Sequence, residues 1–186
     1  MIKKALLLVA AIVAVILIAA AFKSPDFHVE RSLAIAASPN DLYTWANSHK
    51  KFNEWNPFLK VEPAAKVSYS GAETGVGAVS SWEGKEIGKG QATIVESKPG
   101  ELVRLRMDWL APMEGTSTVD FTFKPQGDKT LVTWAMYGRN TSYMMKVMSL
   151  FMNCDSICGA QFEKGLANLS QLATTAPAPV TASTKL

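Results

Sequence analysis

Alternation of apolar and polar positions is the strongest pattern along the middle of the chain. In LVRLRMDWL, residues 102–110, every second side chain is apolar, and an earlier run at 27–35 has the same period. This is the pattern of antiparallel strands with one face towards a core and one towards water. Turn sequences such as KPGE and PQGDK separate the runs. Six strands are predicted after the first one, at about 65–70, 77–83, 88–97, 102–110, 116–124 and 130–139.

A helical period appears in two other parts of the chain. Ser38 and Pro39 have the residue types that begin a helix, and a second short helix is predicted at about 50–54, ending before Pro57. From about residue 142 to Ala173, apolar residues recur three to four apart, which predicts one long helix with a possible bend at Gly159. The fold class is therefore α+β, in the order strand, two short helices, six strands and a long helix. A curved antiparallel sheet of this kind can wrap around the long helix and leave a cavity between them.

The N-terminal segment has a different character. Two lysines, Lys3 and Lys4, precede eighteen uncharged residues, Ala5 to Phe22. At about 1.5 Å per residue this length is close to the minimum for crossing a hydrocarbon core of about 30 Å. A membrane anchor is favoured, with the lysines on the cytoplasmic side and the rest of the chain beyond the inner (plasma) membrane. The alternative is a cleaved secretory signal, for which Ala19-Ala20-Ala21 offers small residues at a cleavage site.

Charge and composition indicate which partners are excluded and how the chain is divided. The net charge of +3 is spread along the chain, which argues against a nucleic-acid surface. The final thirteen residues alternate proline with small polar residues and have no apolar period, so we expect them to be disordered. The expected organisation is an anchor or signal at 1–24, one domain at 25–173, and a tail at 174–186.

Several segments in this order resemble a known superfamily. They are HVERSLAIAASPNDLYTW, FNEWNPF, GVGAVSSWEGKEIGKGQATIVESKPGE, TLVTWAMYG and GAQFEKGLANLSQL. Together they are similar to the START-like, or SRPBCC, superfamily, in particular its polyketide cyclase/dehydrase-like branch. This resemblance implies a helix-grip fold, in which the sheet wraps the C-terminal helix and encloses a pocket for apolar ligands. It carries no catalytic motif onto this chain residue by residue.

The residues give little support for phosphate binding, metal binding or nucleophilic catalysis. The glycine-rich segment 71–90 lacks the strand-to-helix setting of a phosphate-binding loop and is better explained by hairpin turns. His28, expected on the water-facing side of its strand, and His49, expected in a polar loop, have no ligand partners at metal-binding spacing. Cys154 and Cys158 are interpreted as small buried apolar residues. No metal, cofactor or nucleophile–base pair is predicted.

The ligand-pocket candidates are large aromatic and methionine side chains, which suit irregular apolar ligands, together with one arginine. Arg31 interrupts the apolar face of the first strand. An inward Arg31 needs a carboxylate such as Glu83 or Glu96, or an anionic ligand head group, because an unpaired buried charge is costly. A strand twist that turns Arg31 to water is the alternative. The candidates are Arg31, Trp55, Trp82, Trp109, Phe121, Trp134, Met136, Met148, Phe151 and Phe162.

Three functions remain open on the sequence. The favoured one is a membrane-tethered, non-enzymatic domain that binds a lipid or other apolar small molecule between the sheet and the C-terminal helix. The second is a cyclase or dehydratase that uses acid/base residues in the same pocket, with Arg31, Glu83, Glu96 and Tyr137 as candidates. The third is an envelope protein whose cavity has no ligand. The oligomeric state is not predicted.

Overall fold

The structure is a computed structural model that describes residues 2–140, 142–151 and 154–175. Its centre is a seven-stranded antiparallel sheet in the order β1-β7-β6-β5-β4-β3-β2. The strands are β1 (Asp26–Ile35), β2 (Lys66–Gly71), β3 (Ala78–Glu83), β4 (Lys89–Lys98), β5 (Leu102–Ala111), β6 (Gly115–Gln126) and β7 (Lys129–Arg139). All seven strands predicted from the alternation are present, which confirms the α+β fold with its curved sheet.

Helices precede the sheet, follow β1 and follow β7 along the chain. They are α1 (Ile2–Phe22), α2 (Pro39–Ala46), α3 (His49–Trp55), α4 (Pro57–Val61), α5 (Tyr143–Phe151) and α6 (Cys154–Thr175). Among the described residues, α1 is the one helix that is long and apolar enough to cross a membrane. Helix α6 packs against the sheet and makes most of its contacts with the edge strand β1. Most of the tail that we expect to be disordered lies outside the described residues.

One helix prediction needs correction. Pro57 was expected only to end a helix, but it also begins α4, because the Asn56 side chain accepts a hydrogen bond from the Phe58 amide at 3.0 Å and caps the new helix. Of the long helix predicted at the C-terminal end of the domain, the structure describes residues 143–151 and 154–175 as helical, and Gly159 lies within α6.

The core lies between the inner face of the sheet and helices α2, α3, α4 and α6. One buried cluster joins residues from every strand except β2 to these helices. His49 belongs to this interior: only 4 % of it is exposed, and its Nε2 lies 3.2 Å from the Ala78 carbonyl oxygen. The expectation that His49 lies in a polar loop was therefore wrong, because it is the first residue of α3 and is buried. Burial lowers the pKa of His49, which favours the neutral ring.

Candidate functional site

A cavity of about 860 Å³ lies at one end of the sheet. Four antiparallel strands meet at this end, where β1 and β6 begin and β5 and β7 finish. Helix α5, the first residues of α6 and the short link between α1 and β1 complete the wall. The cavity therefore lies between the sheet and the C-terminal helical segment, next to the end of α1.

The body of the cavity is mainly apolar. Trp109 and Met136 come from the inner face of the sheet, and Met145 and Phe151 face them from α5. Trp109 is held in place because its Nε1 donates a hydrogen bond to Ser117 Oγ at 3.0 Å. With this polar atom satisfied, the indole offers an apolar surface to whatever occupies the cavity.

Trp82 supports Trp109 from the neighbouring part of the sheet. The two rings meet edge to face with centroids 5.6 Å apart. Trp82 reaches this position by lying across Gly90, where an added Cβ would come within 2.5 Å of the Trp82 ring. Glycine is required at position 90 for this close approach, so the glycine-rich segment serves the wall of the cavity and contributes no phosphate loop.

Charged groups are found at the rim. Asp26 and Arg139 face each other at 3.8 Å, and both side chains are about 70 % exposed. Lys23 Nζ donates a hydrogen bond to the Ser149 carbonyl oxygen, which ties the link after α1 to α5. Acidic and basic side chains are mixed around this rim, so charge alone does not select an anionic or a cationic ligand.

Arg31 joins the edge strand β1 to the start of α6. Its guanidinium donates to both carboxylate oxygens of Asp155, at 2.7 and 3.0 Å, and its Nε donates to Glu163 Oε1 at 2.7 Å. The group lies directly over Gly159, where an added Cβ would be 2.2 Å from Arg31 Nη2. The hydrogen bond from Arg31 lowers the pKa of Asp155. Neither Glu83 nor Glu96 is a partner, so that pairing was wrong; Arg31 clamps α6 to the sheet.

Four of the aromatic pocket candidates form a packed cluster away from the cavity. Trp134 stacks on Phe162 with centroids 4.3 Å apart and an interplanar angle of 9°, and Trp55 meets Trp134 edge to face at 5.4 Å. Phe121 completes the group, and each of the four is at most 3 % exposed. Helices α3 and α4 add Phe52 and Phe58 to the cluster.

The ten candidates therefore separate by position. Trp109, Met136 and Phe151 line the cavity, and Trp82 stands behind Trp109. Met148 is half-buried on α5 outside the lining, and Arg31 binds the lining residue Asp155. Trp55, Phe121, Trp134 and Phe162 fill the core.

The candidate acid/base residues Glu83, Glu96 and Tyr137 do not line the cavity. Glu96 accepts a hydrogen bond from Arg104 at 2.6 Å, while its contact with Lys98 chiefly lowers its pKa. The Tyr137 hydroxyl donates to Asp120 at 3.1 Å, and its pKa is raised, first by desolvation and then by the Asp120 charge. Glu96 and Tyr137 belong to one polar network on the outer face of the sheet, whereas Glu83 pairs with Lys89 at 3.3 Å. They are not placed to act on a ligand in the cavity.

Glu62 is a structural residue that the sequence analysis missed. Its carboxylate accepts hydrogen bonds from the amides of Lys85, Glu86 and Ile87 at 2.9, 2.8 and 3.2 Å. These bonds lower the pKa of Glu62 and hold the β3–β4 turn, which supplies residues 86–88 to the cavity wall. The partners are more than twenty residues apart along the chain, so no local pattern points to the contact.

Solved structures show the same fold at low sequence identity. A protein from Chromobacterium violaceum, CV1439, is 14 % identical with a TM-score of 0.57, and the match covers 78 % of this chain and 96 % of that one. Major latex-like protein 151 from Panax ginseng is 10 % identical with a TM-score of 0.55, covering 80 % and 98 %. StfQ, a di-domain ARO/CYC protein of the steffimycin biosynthetic pathway, is 13 % identical with a TM-score of 0.55, covering 80 % and 51 %. These likenesses establish the architecture only.

Family membership follows from the sequence of the domain. A search of curated proteins finds no match. The family described as polyketide cyclase / dehydrase and lipid transport matches residues 26–173, which run from the first residue of β1 nearly to the end of α6. This match confirms the resemblance to the SRPBCC superfamily and its helix-grip fold. The chain belongs to the polyketide cyclase/dehydrase and lipid-transport family.

Proposed function

We propose that this domain binds one lipid or similar apolar small molecule in the cavity between the sheet and α5, while α1 tethers it to a membrane. The observation that carries the proposal is the cavity itself. Its volume of about 860 Å³ lies in the range of small-molecule sites, roughly 300–1,000 Å³. An apolar body with charged groups at the rim suits an amphipathic ligand whose chain lies inside and whose polar end stays near water.

The tether is supported by the length and exposure of α1. The helix has 21 residues, and its large apolar side chains, from Ile2 to Phe22, are exposed to solvent in the isolated chain except for the half-buried Ile16. Exposed apolar surface of this extent needs a lipid environment. With Lys3 and Lys4 on the cytoplasmic side, the domain lies on the opposite face of the plasma membrane. Cleavage of the segment as a signal, with release of the domain, is the alternative.

A cyclase or dehydratase is the second candidate, because titratable side chains line the cavity, among them Asp26, His28, Glu86 and Asp155. Asp26 faces Arg139 at the rim, and His28 and Asp155 are also engaged. The His28 side chain is 58 % exposed and lies 3.6 Å from Glu30, and the Asp155 carboxylate is held ionised by Arg31. General acid–base catalysis needs a group within reach of the ligand whose pKa suits proton transfer. Binding is therefore better supported than catalysis.

The proposal can be tested by filling the cavity. Gly115 lines it, and a Cβ added there points into open space, with Met145 Cε as its nearest neighbour at 4.0 Å. Gly115→Trp places an indole where the ligand is expected. Thr122→Trp is the matched control, because Thr122 lies on the outer face of the same strand, β6.

Native mass spectrometry of the full-length protein in detergent, with phosphatidylglycerol added, provides the measurement. We expect a one-to-one lipid adduct for the wild type and for Thr122→Trp, and at least a tenfold weaker adduct for Gly115→Trp. A wild-type protein without an adduct would contradict lipid binding. An adduct that persists unchanged in Gly115→Trp would place the ligand elsewhere.

A further inference from the structure

Helix α5 has a surface that the core does not explain. Met144 and Phe151 are 64 % and 70 % exposed, and Tyr143 and Leu150 are also exposed. Lys146 is the one charged residue of the helix. A short helix with this much open apolar surface marks an interaction site.

The position of α5 relative to α1 identifies the partner. The Tyr143 hydroxyl donates to the Leu17 carbonyl oxygen, and Lys23 Nζ donates to the Ser149 carbonyl oxygen. The partners are six residues apart in both helical segments and occur in the same order. Helix α5 therefore runs parallel to the last turns of α1, with the buried Ala20 between the two contacts.

The length of α1 then sets the depth of α5. The eighteen residues Ala5 to Phe22 span about 27 Å, slightly less than the roughly 30 Å hydrocarbon core. The whole apolar segment is needed to cross, so α1 has no length to spare. Leu17 lies five residues before Phe22, which places it about 7.5 Å inside the end of the span. Tyr143, in contact with Leu17, must lie at a similar depth.

From this geometry we propose that α5 is embedded in the outer interface of the same bilayer that α1 crosses, and that the cavity takes its ligand, a membrane lipid, directly from that bilayer. The inference rests on the proposed tether. Because α5 runs parallel to α1, Tyr143 at its beginning lies deepest, about 7.5 Å inside the span, and Ser149 lies at the level of Lys23, at the end of the span. Lys146, between them, can extend its ammonium to the lipid head groups.

The end of the same helix connects this surface with the cavity, because Leu150 and Phe151 belong to both. Met145 and Ser149 also line the cavity from α5, and Met113 in the β5–β6 turn lines it from the sheet. Met113 is itself 38 % exposed. A lipid chain that leaves the bilayer beside α5 reaches Trp109 and Met136 without crossing water. The ligand class is thus an amphiphile resident in the membrane, in preference to a water-soluble molecule.

Photocrosslinking tests the depth of α5. p-Benzoylphenylalanine is incorporated in place of Met144, which is exposed and does not line the cavity, in the full-length protein, which is placed in phosphatidylglycerol nanodiscs and irradiated. Leu8 in α1 is the positive control, and Asp128 in the exposed β6–β7 turn is the negative control. Intact-mass spectrometry counts lipid adducts. We expect adducts at Met144 to be at least about five times as frequent as at Asp128.

Two outcomes separate this inference from the tether on which it depends. Lipid adducts at Leu8 with only background levels at Met144 would overturn the immersion of α5 and leave the tether intact. Background levels of lipid adducts at Leu8 as well would contradict both the membrane tether and the immersion of α5.

The source of the ligand is tested separately. The protein is moved into nanodiscs of deuterated phosphatidylglycerol, and the bound lipid is weighed by native mass spectrometry. An adduct with the deuterated mass is expected. If the bound lipid keeps the mass it had before the transfer, the protein binds a lipid but does not take it directly from the bilayer.

Discussion

Replacement of Phe162 by alanine tests whether the aromatic cluster is core or ligand-binding wall. Phe162 is 1 % exposed, stacks on Trp134 at 4.3 Å and meets the edge of Phe58 at 6.3 Å. Loss of a buried phenylalanine costs about 3–5 kcal/mol of the free energy of unfolding. In a domain of this size each kcal/mol lowers the melting temperature by about 2–4 °C, so the expected decrease is about 6–20 °C.

Phe151→Ala is the matched control, because it makes the same chemical change on the neighbouring helix. Phe151 is 70 % exposed and lines the cavity. Its loss should change the melting temperature by less than about 2 °C, since exposed substitutions stay within roughly 0.5 kcal/mol. It should instead weaken the lipid adduct.

Thermal unfolding of the full-length proteins in detergent, followed by tryptophan fluorescence, measures the difference. Native mass spectrometry of the same samples at 20 °C measures lipid binding. A Phe162→Ala variant that keeps a melting temperature within about 2 °C of the wild type and loses the lipid would show that Phe162 belongs to the binding wall and not to the core.

Two further substitutions test contacts that hold the site. Glu62→Gln should speed amide hydrogen exchange in the β3–β4 turn. Since the pKa of Glu62 is lowered in the folded protein, the stability advantage of the wild type should be complete above the ordinary value of 4.5 and disappear as pH falls through the lowered pKa. A pH-independent difference in melting temperature between pH 7 and 3 would contradict this. Gly159→Ala should stabilise an Arg31→Leu variant by about 1 kcal/mol, because alanine favours the helix, but should give less stability or a loss when Arg31 is present. Equal effects in both backgrounds, measured by thermal unfolding, would show that Arg31 does not press on Gly159.

The strands could be predicted because their signal is local. Val103, Leu105 and Trp109 all point to the inner face of β5, as the alternation requires. The same period could not separate Trp109, in the cavity wall, from Phe121, in the solid core, because both are inward residues of adjacent strands. Their difference depends on where α3 and α4 cover the sheet. Contacts such as Phe52 with Phe121, at 5.5 Å between ring centroids, decide this across about seventy residues of chain.

The C-terminal helical segments show the same limit. Tyr143 in α5 contacts α1, whereas Asp155 in α6 binds Arg31 on β1. Gly159 lies within α6, where the Arg31 guanidinium approaches so closely that an added Cβ would be 2.2 Å from it. These partners are far apart along the chain, and local periodicity does not encode them.

The connection between α1 and the domain bears directly on how a lipid could be captured. Only Lys23, Ser24 and Pro25 separate α1 from β1, a reach of about 10 Å when extended. The Asn140 amide donates to the Pro25 carbonyl oxygen at 2.7 Å, and Lys23 binds the end of α5. These contacts fix the position of the domain relative to the end of α1. In the proposed membrane arrangement, the cavity keeps one orientation, with α5 towards the lipid. Direct capture requires this fixed orientation, because a freely rotating domain would expose the mouth of the cavity to water for most of the time.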